Sequence, residues 1–459
     1  MNTKAKRLVK VLLRQTIGRV PPSVSRLTGR LAKDGGQPVR DTRLRPWASY
    51  QAENRSAWLA SVKPAFRKIF VDGVEGLPQP TAKQFAQQWA EYCGCRYGLL
   101  MAHGTDALRI ALAAALDHDG LDYGGEVIVP NLSFIATAAA ALDRRCGIVF
   151  VDVEPTTLLL NPRCVEEAIL PGRTRAIMPV HLFGQPANMT ALREIAQRYK
   201  LKLIEDAAQA HGSVWESGPV GSLGDAAAFS FQSFKNLTCG EGGALTTNDE
   251  DLFERAYSMH NVGRSRQHNQ RWEHITLGWN CRITEYQAAL LTSRFRDFER
   301  QQERRRNNFL KLHELLADVA CVVPLSMSPG VRKHGVHMLA LRYKDEECGG
   351  LPVEDFLRAC GAEGAPIHRG YTCTMSAQPA MQRLMAKHPD YFRLMPTPVA
   401  EEATKNTLYI PQEVFLGVEA DMTDIAAAIR KVQNHYSRIG KSMNSNPKLG
   451  AMLVGKNNG

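Results

Sequence analysis

The chain has 459 residues, 44% of them hydrophobic and 22% charged, enough for two structural domains around a sizeable core. Its 36 glycines and 24 prolines are near average usage, which excludes collagen, coiled coil and wholesale disorder. No run approaches the roughly 18 to 20 apolar residues that a membrane-spanning helix needs; the longest small-residue stretch, Ala136 to Leu142, closes at Asp143.

The net charge of +11 sits almost wholly at one end. Residues 1–45 hold 12 Lys and Arg against Asp34 and Asp41, a net of +10, so the body is close to neutral. A folded nucleic-acid reader needs its cations on the folded surface, so nucleic acid is not an expected partner. Within the extension Val9, Leu13 and Ile17 with Leu8 and Leu12 form an i, i+4 stripe, while Lys6, Lys10 and Arg14 lie elsewhere on the wheel. The spacing predicts an amphipathic helix stopped by Pro21 and Pro22. Two readings stand side by side: peripheral attachment to an anionic membrane surface, and a self-packed or mobile extension. Ten cysteines between Cys93 and Cys373 lack zinc-type spacing, and no secretory core opens the chain, which predicts reduced thiols in a cytoplasm.

From about residue 80, short apolar strands alternate with helices, the pattern of a largely parallel sheet covered on both faces. Seven strands are expected: Tyr97 to Met101, Glu126 to Val129, Ile148 to Asp152, Arg175 to Pro179, Lys202 to Asp206, Ala226 to Phe231 and Gly243 to Thr247. Between them lie helices such as Thr105 to Leu116 and Met189 to Tyr199. Thr284 with Gln287 forms a capping-box pattern, and the amphipathic run that follows predicts one long helix. Beyond it, His337 to Tyr343 reads as a strand and Val353 to Cys360 and Asp424 to Tyr436 as helices. The expected organisation is a basic extension (1–45), a large domain (46–305), a small α+β domain (306–440) and a tail (441–459).

Three local signals carry chemistry. His103-Gly104-Thr105-Asp106 lies between a strand and a helix, where glycine permits close backbone approach and free N–H groups attract a phosphate; an ordinary βα turn is the alternative. In Ile204-Glu205-Asp206-Ala207-Ala208-Gln209, an apolar strand runs into two carboxylates at its carboxyl end, where open α/β sheets bind ligands; either acid is a candidate, and Asp206 reads equally as a helix cap. Lys235, between the strand ending at Phe231 and the glycines of Cys239-Gly240-Glu241-Gly242-Gly243, is either an ion-pair partner or an amine whose pKa partial burial lowers, making it a Schiff-base former. Jointly, a phosphate-cradling turn, a carboxylate at a strand end and an isolated lysine are the set that pyridoxal phosphate requires.

The sequence resembles the DegT/DnrJ/EryC1/StrS family of PLP-dependent sugar aminotransferases, on blocks that include GTDAL (104–108), PVHLFGQPANM (179–189), EDAAQAHG (205–212), the stretch 221–249 around SFKNLTCGEGG, and GWNCRITEYQAALL (278–291). The resemblance implies the aspartate aminotransferase-like, type I PLP fold: a large, mixed, mainly parallel seven-stranded sheet domain and a smaller C-terminal α+β domain. It further implies Lys235 as the Schiff-base lysine and proton carrier, Asp206 facing the pyridine nitrogen, and Gln209 near the phenolic oxygen. Phe134 would stack on the ring, with Gly104, Thr105 and Ser230 in the phosphate cradle. Asn280 would reach the phosphate of a neighbouring subunit's cofactor, hence a homodimer. The implied reaction passes an amine from glutamate or glutamine to a keto-sugar, nucleotide-linked, or to a keto-cyclitol. The stretch Glu363 to Tyr371 is more similar to the cyclitol and aminohydroxybenzoate branch than to nucleotide-sugar members, and His103 departs from the usual Ser or Asn.

A non-catalytic, cofactor-bound scaffold tethered through the basic arm is the competing reading. An NAD-dependent dehydrogenase would need a G-x-G-x-x-G turn that the sequence lacks. No metal site is expected, since His118, His181, His211 and His260 show no metal-ligand spacing; His181 and His211 read as pocket or satisfied polar residues.

Overall fold

The computed structural model describes residues 30–42, parts of 62–71, 79–266 and 273–445. The expected helix over 6–17 and the tail beyond 445 lie outside the described residues.

All seven expected strands form: β1 (Tyr97–Met101), β2 (Glu126–Pro130), β3 (Gly147–Val151), β4 (Thr174–Ile177), β5 (Lys202–Asp206), β6 (Ala226–Ser230) and β7 (Gly243–Thr247). An eighth, β8 (Phe392–Leu394), joins them. The order across the sheet is β1-β7-β6-β5-β4-β2-β3-β8. Only β7 runs antiparallel to its neighbours, so the carboxyl ends of β1, β2, β4, β5 and β6 share one edge. Strands β2, β3 and β6 are buried at every position, as a sheet covered on both faces requires. One apolar cluster forms around Phe85, Trp89, Phe229 and Phe231 on one face; the other holds the inward side of α2 (Gly104–Leu116).

Strand β8 carries no alternating pattern of its own. It is held by Arg393, which donates through Nε and one terminal nitrogen to Glu126 at 2.8 and 2.6 Å. The chain from the C-terminal half thus returns to the edge of the large sheet. A second sheet of four strands, ordered 322–324, 338–343, 407–411 and 368–369, forms the smaller layer with helices Val353–Ala362 and α5 (Glu419–Ser445).

The single long helix expected after Thr284 is two: α3 (Glu285–Phe295), opened by the Thr284–Gln287 capping box, and α4 (Phe298–Leu315). The break at Arg296–Asp297 brings both Phe295 and Phe298 onto α1 (Pro80–Tyr92), with ring centroids 6.0 and 6.3 Å from Trp89. Residues three apart are neighbours on one helix face, so the break changes the direction of the chain while both rings stay against the indole.

Residues 30–42 do not hang free. Leu31 and Val39 join the core of the smaller layer, and Glu363 accepts from the backbone N–H groups of Ala32 and Val39. Arg40 is buried against Asp421 and Asp424 of α5, at 2.5 and 3.2 Å. All ten cysteines are free thiols.

Candidate active site

The candidate residues Gly104, Thr105, Phe134, Asp206, Gln209, Ser230 and Lys235 lie at or just beyond the carboxyl ends of β1, β2, β5 and β6, along one edge of the sheet. β5 places Glu205 and Asp206 on opposite faces, because successive strand side chains alternate. Glu205 turns inward to accept from the backbone N–H groups of Gly221, Leu223 and Gly224 and from His181 Nε2 at 2.9 Å. Glu205 is therefore engaged in the fold, which leaves Asp206, the acid that the resemblance implies, as the candidate of the two.

Asp206 is buried. Its Oδ2 accepts from the Thr137 hydroxyl at 2.7 Å and its Oδ1 from the Ala208 N–H at 3.2 Å. Burial raises its pKa above the usual carboxylate value, opposed by these two hydrogen bonds and by the charge of Lys235. Lys235 is half-buried, and desolvation lowers its amine pKa while attraction to Asp206 raises it less. The two groups thus act on each other: the ammonium favours the ionised carboxylate and the carboxylate favours the charged amine, while burial opposes both charges.

Gln209 is fixed at both ends: Oε1 accepts from Phe183 N–H at 2.9 Å and Nε2 donates to the Tyr371 hydroxyl at 3.3 Å. Phe183 takes a left-handed conformation, φ 61°, unusual for a bulky side chain and of the kind strained sites retain. Tyr371 comes from the segment that ties the smaller layer to the sheet edge: Asn131, just past β2, bonds the hydroxyls of Ser376 and Thr397 and the N–H of Ser376. Burial pushes the Tyr371 hydroxyl up to about 12.

At the end of β1, α2 begins at Gly104 with no side-chain cap from His103, leaving its first N–H groups available to an anion. A Cβ on Gly104 would lie 2.8 Å from Ser230 Cβ, so glycine is what lets the helix start meet the end of β6. Thr105 stands exposed beside them. Phe134, 62% exposed, follows the end of β2, and Phe234 precedes Lys235 at 73% exposure. Asn280 is exposed on a segment whose neighbour Cys281 accepts from Ala102 N–H past the end of β1.

Sequence reasoning missed the supports. Thr137 is one of many small residues of the helix 136–142, Tyr371 was noted only within a block, and Asn236, Gln302 and His337 gave no signal beyond the position of Asn236 next to Lys235. His181 and His211 are buried and bonded, to Glu205 and to the Ser230 carbonyl. Among the described residues no cluster of His, Cys, Asp or Glu is arranged to hold a metal ion.

The pattern of the DegT/DnrJ/EryC1/StrS aminotransferase family matches residues 72–430. The chain belongs to this family. It is 35% identical over 428 residues to L-glutamine:2-deoxy-scyllo-inosose aminotransferase of Streptoalloteichus tenebrarius, covering 89% of this chain and 99% of the relative. The protein of the same name from Streptomyces lividus is 36% identical over 431 residues, covering 88% and 98%. Among solved structures, 3-amino-5-hydroxybenzoic acid synthase superposes with a TM-score of 0.72 at 26% identity, covering 84% of this chain and 97% of that one. DesV of S. venezuelae gives 0.72 at 31%, covering 83% and 97%.

Proposed function

We propose that this aminotransferase transfers the amino group of L-glutamine to the ketone of a polyhydroxylated cyclitol, with pyridoxal 5'-phosphate as carrier. The observation that carries the chemistry is the facing of Lys235 and buried Asp206 at the carboxyl edge of the sheet. The names of the two relatives, matched along nearly their full length, support the donor and acceptor class. The residues present fit the cofactor: a carboxylate whose burial calls for a cation, uncapped helix amides beside Ser230, and a glycine contact that any Cβ would fill.

When bound, the cofactor supplies a carbonyl that captures amines and a ring that withdraws electrons from the carbon losing its proton. Asp206, ionised, would hold the proton on the ring nitrogen. The N–H groups of Gly104 and Thr105 with the Ser230 hydroxyl would hold the phosphate. Gln209 would serve the phenolic oxygen, and Phe134 would cover the ring. Lys235 Nζ, neutral, would take the proton from the donor carbon in one half-reaction and deliver a proton to the acceptor carbon in the other. The same residue set serves both halves because donor and acceptor take turns in one cleft.

We also propose a homodimer, in which exposed Asn280 reaches the cofactor phosphate of a second copy and the exposed ring of Phe234 meets that copy. For chain organisation we propose a cofactor-binding part at 46–305 and a part at 306–440 that reaches back to cover the cleft. Peripheral membrane contact through the basic extension is tested by liposome co-sedimentation with and without residues 1–29.

The deciding experiment is spectroscopic. Glutamine should bleach the visible band of the cofactor-loaded protein, and 2-deoxy-scyllo-inosose should restore it. Restoration by a nucleotide-linked keto-sugar alone would move the acceptor to the other branch. A band indifferent to every amino donor would overturn catalysis in favour of the scaffold reading.

A further inference from the structure

Beneath Lys235 lies a buried polar network that belongs to neither the cofactor set nor the substrate cleft. Asn236 Nδ2 lies 2.8 and 3.0 Å from the Gly335 and Val336 carbonyls and 3.0 Å from Gln302 Oε1, three acceptors that share its two N–H groups. Two carbonyls, which only accept, fix the orientation of this amide. Its Oδ1 therefore faces His337 Nδ1 at 3.2 Å, and Nδ1 must carry the proton. Gln302, on α4, donates to the carbonyls of His211 and Gly335 at 2.7 and 2.9 Å and accepts from Arg305 at 2.8 Å. All of these side chains are buried.

The segment Gly335–His337 also touches the other side of the cleft. Gly335 N–H donates to Gly184 O at 2.8 Å and His337 N–H to Phe183 O at 3.1 Å, and Phe183 is the residue whose N–H holds Gln209. One short segment thus grips both the loop that carries the amine and the turn that orients Gln209. The lysine loop is also tied at its base, by Lys235 N–H to Gln232 O and by Cys239 N–H and the Thr238 hydroxyl to Phe231 O, and on its far side by Arg294 of α3 to Thr238 O at 2.7 Å.

We propose that His337 is a positioning residue for Lys235: its neutral imidazole, donating through Nδ1 to Asn236, clamps the amine-bearing loop to α4 and to the entry of the small sheet. The inference rests on the proposed role of Lys235. Burial, then the charges of Lys235, His211 and Arg305, hold His337 well below the ordinary histidine value, consistent with a neutral ring. The titratable groups around the amine are Asp206 from β5, His211 from the turn after it, His337 itself and, farther out, Arg305 of α4.

The test uses the full-length protein loaded with pyridoxal phosphate, reading the pH midpoint of its visible band alongside kcat and KM. His337→Leu should loosen the loop, admit water and raise the midpoint, and lower kcat by about 10- to 100-fold with donor KM within about twofold, the size of effect expected for a support one layer removed. His337→Asn, which keeps a donor near the Nδ1 position, should recover most of the loss, and Asn236→Ala should reproduce His337→Leu without adding to it in the double variant. A His337→Leu protein with a lower Tm but unchanged midpoint and kcat overturns the proposal, as does a His337→Asn protein no better than leucine. If the leucine variant does not fold, Asn236→Ala and His337→Asn decide by the same two readouts. Lys235→Ala separates this from failure of the underlying reading: a visible band that survives it means that Lys235 does not carry the cofactor at all.

Discussion

The Thr137 hydroxyl donates to Asp206 Oδ2 at 2.7 Å in a site where burial has already raised the pKa of that carboxyl. The threonine therefore works against desolvation, keeping ionised the acid that must hold a proton on the cofactor ring. Thr137→Val should raise the Asp206 pKa further, because one hydrogen bond to the charged form is lost. Catalysis needs the ionised form, so the acid limb of the kcat/KM profile should move to higher pH while the alkaline limb stays. Asp206→Ala should cost about a hundredfold to a thousandfold in kcat, the range for removing a group that stabilises charge in the reaction.

Gly104→Ala tests the phosphate cradle. The added methyl would meet Ser230 Cβ at 2.8 Å, Ser230 Cα at 3.1 Å and the Phe229 carbonyl at 3.2 Å, two of the three belonging to backbone that has little room to shift. Overpacking of this kind costs about 1–3 kcal/mol. A cofactor Kd raised by roughly five- to a hundredfold, measured by fluorescence titration, is the expected outcome; an unchanged Kd would place the phosphate elsewhere.

Tyr371→Phe removes the hydroxyl that Gln209 Nε2 meets at 3.3 Å. A neutral hydrogen bond contributes about 0.5–1.5 kcal/mol, so both half-reactions should slow by about two- to tenfold in stopped-flow traces.

Arg40 sits between Asp421 and Asp424 with side chains less than a tenth exposed. Arg40→Ala would leave two buried carboxylates without that cation, at a cost of about 3–5 kcal/mol. Urea denaturation should show the loss, and cofactor affinity should be untouched, since residues 30–42 pack on the smaller layer and not on the cleft.

Acid should weaken the fold through buried histidines. Desolvation lowers His211 and His334 to about 3 and His260 to about 4, below the unperturbed 6.5. Between pH 6.5 and 4 the unfolded chain binds these protons and the native chain does not, so stability falls as pH falls, by about 1.4 kcal/mol per pH unit for each histidine. His334 accepts from Val336 N–H through Nδ1 at 2.9 Å and stacks on Phe309, so protonation there also breaks a hydrogen bond. A His334→Phe variant should show a shallower acid slope in its urea midpoints than the parent chain.

The seven strands, the helix opening at Gly104, and the trio of glycine turn, Asp206 and Lys235 were legible in sequence. Each rests on interactions between residues close along the chain: apolar alternation, a strand running into a carboxylate, a lysine set apart from other charges. The local pattern left Asp206 and Glu205 open, because both end the same strand, and the resemblance alone named Asp206; the loop amides of Gly221, Leu223 and Gly224 on one face supply the physical reason, since they engage Glu205. Strand β8 was not legible: it joins the sheet because Arg393 finds Glu126 some 267 residues away. Thr137, Tyr371, Asn236 and His337 are ordinary residues in their local context. They become supports of the site because hydrogen bonds act over about 3 Å of space with no regard for chain separation, and that proximity exists only once the two layers have packed.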